Sequence, residues 1–241
     1  KELEHKNVDF GGGLERITVA SLDNHDVFYG SLLKPIVEKI SELSDKNYEN
    51  NTTDMRVIAD HLRGAYLLSA QGLIPSNKAQ GYALRRLIRR AILRALNLGI
   101  EQNFLELVIP IIAKNYETLP SEILTAREQV SAILLKEEAT FRSTLNRGLK
   151  QLNRLKGSGL TGLEIFKLQD TFGFPLELSV EEAYRQDIKL SDNWRNEFEA
   201  ALKEQRDRSK TASRGMFKGG LEDNSEQTVK YHTAAHLLLA A

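Results

Sequence analysis

The sequence contains no cysteine, which excludes disulfide bonds and thiolate chemistry and favours a cytoplasmic setting. It also lacks any apolar run close to the roughly 20 residues that a membrane helix needs. Aromatic residues make up only 7% of the 241 residues, and 33 basic side chains balance 33 acidic ones, giving a formal net charge of zero. These features predict one large domain or two small ones, without thiol chemistry or a membrane span.

Both ends of the sequence have the character of internal positions. The N-terminal stretch KELEHKNVDF has no starting Met and no apolar core of a signal peptide, and the chain stops abruptly in HLLLAA. We therefore expect both ends to be cuts within a longer polypeptide.

Apolar residues recur at spacings of three and four from Gly30 to about residue 208, which predicts a mainly α fold. Expected helices cover about 30–43, 103–117, 121–156, 179–187 and 191–208, with others ending at Gly72, near Gly99 and before Gly173. The expected local signals are an interruption at Pro110, an N-cap at Ser121, and a capping box formed by Thr161 and Glu164. Residues 209–226 are rich in Ser, Lys, Gly and Asp and are predicted to form a linker.

The stretch PSNKAQGYALRRLIRRAILR, residues 75–94, concentrates positive charge on one helix. At about 100° per residue, its arginines cover about half of the circumference and its leucine, isoleucine and alanine residues the other half. No Asp or Glu falls between Lys78 and Gly99. Guanidinium groups match phosphate geometry, so the pattern favours contact with nucleic acid. The alternative is that acidic side chains from elsewhere in the fold pair with the arginines. These arginines are Arg85, Arg86, Arg89, Arg90 and Arg94.

A glycine triplet at 11–13 precedes a predicted helix that carries Arg16. Such an arrangement can bind a nucleotide phosphate, although a glycine turn before a helix is more often only a turn. The pattern therefore leaves both interpretations open.

Three histidines raise the question of a metal or catalytic site. His232 and His236 lie four residues apart, so they would share one helix face as two zinc ligands do, or they are ordinary helix residues. Asp60 and His61 are adjacent in sequence, and neighbours on a helix do not face each other. We interpret Asp60 and His61 as a surface pair rather than a catalytic one.

Five motifs, in this order and spacing, resemble the alanyl-tRNA synthetase family across the whole chain. They are DFGGGLER, RVIADHLR, PSNKAQGYALRRLIRRA, DTFGFP and HTAAHLLLAA. The resemblance implies that residues 1–28 end a class II aminoacylation domain with its motif 3. It implies a helical tRNA-recognition domain over 29–208, and a linker with the first helix of an editing domain over 209–241.

The resemblance also implies roles for single residues. Asp9 would hold the amino group of alanine and Arg16 would bind ATP with magnesium, with Gly11 in the same motif. Asn77 and Asp170 would together recognise a G·U wobble pair in the acceptor stem of the tRNA for alanine.

The tRNA assignment carries two further expectations. We expect Asn77 and Asp170 to approach one another across a cleft edged by the arginine helix, the predicted helix that carries Arg85 to Arg94. The alternative is that each of the two residues only caps a helix. Phosphate contacts are expected from Arg85, Arg86, Arg89 and Arg90.

For the C-terminal motif, the resemblance implies that His232 and His236 bind zinc with a Cys and a His beyond Ala241. The sequence departs from the family at Phe10 and Gly12, where Thr and Met are frequent. It also has Ala79-Gln80 where Gly-Arg is frequent, which predicts one phosphate contact fewer.

The predicted activity is that of an alanine-tRNA ligase acting on alanine, ATP and tRNA. This chain alone is expected to be inactive, because class II motifs 1 and 2 are absent from it. The alternatives are a stand-alone helical RNA-binding module without catalysis and, less favoured by the residues, a metal-dependent hydrolase built on the two C-terminal histidines.

Overall fold

The computed structural model describes residues 11–30, 32–116, 127–157 and 159–216. Within these ranges the chain forms nine α-helices, and its β-structure is limited to an isolated bridge between Leu160 and Leu190. The prediction of a mainly α fold is therefore confirmed. None of the helices in the described ranges is long and apolar enough to cross a membrane. The helices are α1 (Leu14–Ser21), α2 (Lys34–Ser44), α3 (Thr52–Ala70), α4 (Ala79–Asn97), α5 (Leu105–Lys114), α6 (Arg127–Arg154), α7 (Gly162–Phe172), α8 (Leu176–Arg185) and α9 (Trp194–Met216).

The chain divides into two compact units, Lys1–Asn146 and Arg147–Ala241. The boundary falls inside α6 and inside the helical domain predicted over 29–208. The assignment of functional domains to 1–28, 29–208 and 209–241 stays a prediction.

The core of the first unit lies between α3 and α4, which pack along their length, and α2 and α5 pack against α3. Three-and-four spacing puts the large apolar side chains of these helices on their facing sides. Fully buried members are Ile36, Ile40, Met55, Ile58, Leu62, Tyr66, Leu84, Ile88, Ile92 and Phe104. On α6, the predicted stripe is buried at Val130, Leu134, Phe141 and Leu145.

Several predicted boundaries change in the structure. Pro110 does not interrupt α5, which continues from Leu105 to Lys114. Pro110 and Glu106, the residue four positions earlier, are both exposed. The Glu106 carbonyl, which loses its usual N–H donor at Pro110, therefore lies on the solvent side. Ser121, the predicted cap of the long helix, lies outside the described residues.

In the second unit, α8 begins at Leu176 rather than at residue 179, because the side-chain oxygen of Gln169 accepts a hydrogen bond from the Leu176 amide at 3.1 Å. At the other end of the unit, α9 runs on to Met216, eight residues into the predicted linker. The segment contains Lys210, Ala212 and Arg214, which are good helix formers.

The predicted capping box at α7 is confirmed. The Thr161 hydroxyl accepts from the Glu164 amide at 3.3 Å, and the Glu164 carboxylate accepts from the Thr161 amide at 2.8 Å. The helix ends at Gly173, whose φ of 62° lies in the left-handed region that glycine adopts without strain.

Helix α7 also approaches α9 closely at Gly162. A Cβ atom built on Gly162 would lie 2.5 Å from the Phe198 amide nitrogen and would collide with the Trp194 carbonyl. Only glycine permits this contact of backbone with backbone. The Gly162 amide donates to the Glu197 carboxylate at 2.8 Å, which adds a hydrogen bond to the junction.

Gly162→Ala is therefore expected to lower the free energy of unfolding of the second unit by at least about 2 kcal/mol, because the colliding atoms belong to the backbone. Urea denaturation followed by the fluorescence of Trp194, the only tryptophan in the sequence, measures the effect. Gly157→Ala is the matched control, since no described atom lies within 4 Å of its Cβ position. Equal stability of the two variants would contradict the close approach.

Candidate nucleic-acid interface

The turn before α4 folds back over the first turn of that helix. The Ser76 amide donates to the Gly81 carbonyl at 3.0 Å, and the Ser76 hydroxyl donates to the Lys78 carbonyl at 3.1 Å. A Cβ atom on Gly81 would lie 2.6 Å from the Ile74 carbonyl oxygen. Gly81 thus allows the turn to lie directly on the helix, and Asn77 is exposed on that turn.

Asn77 does not cap the helix. The N-cap of α4 is Lys78, and no side-chain cap hydrogen bond is present among the described atoms there. The Asn77 side-chain oxygen instead accepts a hydrogen bond from an Nη of Arg85. Because a guanidinium group only donates hydrogen bonds, the oxygen must face Arg85, which directs the NH2 group of the amide away from it.

Arg85 contacts three residues of the first unit, two on the turn before α4 and one on α6. Besides the bond to Asn77, its other Nη donates to the Pro75 carbonyl at 3.3 Å. Its Nε lies 3.2 Å from a carboxylate oxygen of Glu137 on α6. Arg85 therefore connects the turn, α4 and α6.

Arg89 is a buried residue, with 7% of its surface exposed. Its Nε and Nη2 lie 2.7 and 2.6 Å from the same Glu137 oxygen, and its guanidinium stacks 5.0 Å from the ring centre of Phe141. Burial lowers the pKa of Arg89, an effect that the Glu137 carboxylate opposes. The charge of Arg89 is thus already paired inside the fold, which argues against a phosphate contact there; that contact stays a prediction.

Arg94 is also paired, through an Nη1 contact of 2.8 Å with Asp54 on α3. The expectation that no nearby acid neutralises the arginine face is therefore wrong for Arg85, Arg89 and Arg94. Their partners come from α3 and α6, which are distant in sequence. For these three arginines the alternative interpretation holds: they pair with acidic side chains from elsewhere in the fold.

Arg86 and Arg90 are half-buried. An Nη of Arg90 lies 3.4 Å from His61 Nε2, and His61 Nδ1 lies 3.2 Å from the Asp60 carboxylate. Hydrogen bonding to His61 lowers the pKa of Asp60. Asp60 and His61 do contact each other, contrary to the expectation from their adjacency, and together they support Arg90 from α3.

Asp170 is exposed in the last turn of α7, and its carboxylate accepts a hydrogen bond from the Gln205 side chain of α9. Gln169, not Asp170, caps the following helix. Helix capping thus explains neither Asn77 nor Asp170. The two residues belong to different compact units, and their approach across a cleft stays a prediction.

The glycine triplet precedes a helix as predicted, with Gly13 at the N-cap of α1. Gly11 and Arg16 are exposed. Glu15 attaches this helix to α3 through an ion pair with Arg63, whose hydrogen bond lowers the pKa of Glu15. Asp9 lies outside the described residues.

The predicted metal ligands His232 and His236 also lie outside the described residues. In the ranges that the structure does cover, no group of three or more His, Cys, Asp or Glu side chains could hold a metal ion. The zinc site stays a prediction.

Sequence reasoning missed Glu137, the residue whose carboxylate pairs with Arg85 and Arg89 of α4. A signal was present: Glu137 and Glu138 lie three and four residues after Leu134, and four and three before Phe141. Both acids thus occupy positions on the buried stripe of α6, where a carboxylate requires a cationic or hydrogen-bonding partner.

The sequence matches the family model for tRNA synthetases class II (A) over residues 1–239. The chain belongs to this family. It is 37% identical over 238 residues to the alanine-tRNA ligases of Streptococcus agalactiae serotype Ia and Streptococcus thermophilus strain CNRZ 1066. Each match covers 95% of this chain and 27% of the relative, so the chain spans about a quarter of the relatives' length. The predicted resemblance to alanyl-tRNA synthetases is confirmed.

Ala79, the first residue of α4, has a φ of 46°, in the left-handed region. The other non-glycine residues with positive φ in the described ranges are aspartates, which tolerate this conformation better than alanine. We expect Ala79→Gly to raise the free energy of unfolding by about 1 kcal/mol, measured by urea denaturation. Ala83→Gly, in the interior of the same helix, should lower it by about 1 kcal/mol. Loss of stability in Ala79→Gly would show that residue 79 is not strained.

Proposed function

We propose that this chain is part of an alanine-tRNA ligase and that its helical region binds the acceptor stem of the tRNA. The complete enzyme would use ATP and magnesium to activate alanine and would then transfer it to the tRNA. Membership of the class II synthetases and the identity to alanine-tRNA ligases support the proposal.

The proposal that this chain binds RNA rests mainly on the Asn77 side chain, which is exposed on its turn and held in one orientation. The turn is packed on α4, and the Asn77 oxygen is held by Arg85, so the exposed amide offers hydrogen-bond donors. Asp170 is exposed and, as a carboxylate, offers acceptors. A donor and an acceptor match a wobble G·U pair, whose minor groove presents a free guanine amine beside acceptor oxygens.

Arg86 and Arg90 are the arginines of α4 that we propose as phosphate ligands. Both are half-buried on α4, and an Nη of Arg90 lies 3.4 Å from His61 Nε2 on α3. Phosphate contacts of this kind add affinity without sequence discrimination.

At the N-terminal end, we propose that Asp9 and Arg16 act in the binding of alanine and ATP, with Gly11 in the same loop. Arg16 is exposed in the first turn of α1, a position that suits a ligand phosphate. We further propose that the present chain alone does not form alanyl-tRNA, because it contains one of the three class II motifs.

The base-pair assignment is tested with Asn77→Ala and Asp170→Ala and with two RNA hairpins that differ only in a G·U or a G·C pair. Each variant should lose about 1–3 kcal/mol of discrimination between the hairpins, because one polar contact to the base pair is missing. Equilibrium binding at fixed salt measures the ratio. Glu199→Ala removes one exposed negative charge from the same unit as Asp170 and should leave the ratio unchanged. Full discrimination in both variants, beside a discriminating wild type, would defeat the assignment.

We also propose that His232 and His236 bind zinc only together with ligands outside this chain. Tetrahedral structural or catalytic zinc sites use three or four protein ligands, and the two imidazoles supply two. Metal analysis of the purified chain should therefore find zinc well below one equivalent. One tightly held equivalent that is lost in His236→Ala would show that the remaining ligands lie within these 241 residues.

A further inference from the structure

We infer that Arg85 is a positioning residue for Asn77 rather than a ligand of RNA phosphate. The inference rests on the proposed function, in which Asn77 contacts a base pair, and it assigns to Arg85 the task of fixing which side of the amide faces the RNA. It also replaces the expectation that Arg85 contacts phosphate.

Arg85 already uses donors of its guanidinium group within the protein. Arg85 directs its Nε to Glu137 at 3.2 Å, one Nη to the Pro75 carbonyl at 3.3 Å, and the other Nη to the Asn77 oxygen. Both Nη atoms therefore donate hydrogen bonds within the protein, while Nε lies at ion-pair distance from Glu137 without forming a hydrogen bond among the described atoms. A phosphate would have to compete with these acceptors.

Glu137, the ion-pair partner of Arg85, is a buried and firmly held group. The Glu137 side chain is only 8% exposed and is held at the same time by Arg89. Salt screens a buried pair much less than an exposed one. If Arg85 moved out to a phosphate, it would leave a buried carboxylate with less compensation, which is unfavourable.

The contact with Arg85 also decides which end of the Asn77 amide is presented to a ligand. An exposed asparagine can present either its oxygen or its NH2 group to a ligand, because the two ends of the amide have nearly the same shape. With the oxygen facing Arg85, the NH2 group is the one presented. Arg85 thus makes the Asn77 side chain a hydrogen-bond donor toward a ligand, and the hydrogen bond from Arg85 Nη to the Pro75 carbonyl fixes the turn that carries Asn77.

The experiment uses the 241-residue chain and the same two RNA hairpins. Arg85→Ala should lose most of the discrimination that Asn77→Ala loses, about tenfold. In a double-mutant cycle, Arg85→Ala should have little further effect on discrimination in the Asn77→Ala background, because both changes remove the same contact. The salt slope of binding should stay at its wild-type value.

Two variants separate positioning from charge. Arg85→Lys keeps the positive charge but not the fork of donors, so it should not restore discrimination. Arg86→Ala removes one charge from the same helix and should weaken binding to both hairpins alike, reducing the salt slope by up to about one unit. An Arg85→Ala variant that behaves like Arg86→Ala, and is rescued by Arg85→Lys, would overturn the inference.

An RNA-free measurement keeps the inference separate from the proposed function. The side-chain NH2 resonances of Asn77 in the free protein should lose dispersion and order in Arg85→Ala and stay unchanged in Arg86→Ala. Unchanged resonances in Arg85→Ala would disprove the positioning role. If Asn77→Ala leaves discrimination intact while these resonances do respond to Arg85→Ala, the base-pair assignment fails and the positioning of the amide stands.

Discussion

The packing of α4 on α6 depends on the ion pairs that two arginines of α4 make with the buried carboxylate of Glu137. One oxygen of this buried group lies within 3.2 Å of nitrogens from both Arg85 and Arg89. Two guanidinium groups on successive turns of α4 are thereby fixed to α6. Removing a partner from a buried ion pair typically costs about 3–5 kcal/mol, because the other charge is left uncompensated. Glu137 is therefore a structural requirement for the geometry of the Asn77 turn.

The next residue, Glu138, is a second buried carboxylate of α6, and it fixes a different helix. It is fully buried, and its two oxygens accept from the backbone amides of Phe104 and Leu105 at 3.1 Å each. Arg142, one turn later, contacts it at 3.0 Å. A carboxylate at the start of α5 satisfies amides that have no partner within the helix and interacts favourably with the helix dipole. Two consecutive acids on α6 thus position two different helices.

The helical fold could be predicted from the sequence, because apolar spacing and caps such as Thr161 are local signals. Boundaries were less predictable where a tertiary contact decides them, as where Gln169 starts α8. The pairing of Arg89 with Glu137 joins residues 48 positions apart, so no local window contains it. The exposed positions of Asn77 and Asp170 agree with their implied roles, but the motif resemblance, not the physics of isolated residues, singled them out.

Helix geometry divides the five arginines of α4 into two classes. At about 100° per residue, the buried Leu84, Ile88 and Ala95 centre on one direction, Arg86 lies opposite to it, and Arg90 lies about 40° from Arg86. The other three arginines, Arg85, Arg89 and Arg94, lie nearer the buried side.

Arginines at the border of a buried face have neighbouring helices within reach, and here each of them meets a carboxylate, from Glu137 on α6 or Asp54 on α3. Their charge is used inside the protein and offers little to a polyanion. Arg86 and Arg90 lie nearer the opposite face, where we propose the phosphate contacts. A count of five arginines therefore overstates the charge that this helix can present to a ligand, because carboxylates within the fold neutralise at least three of them.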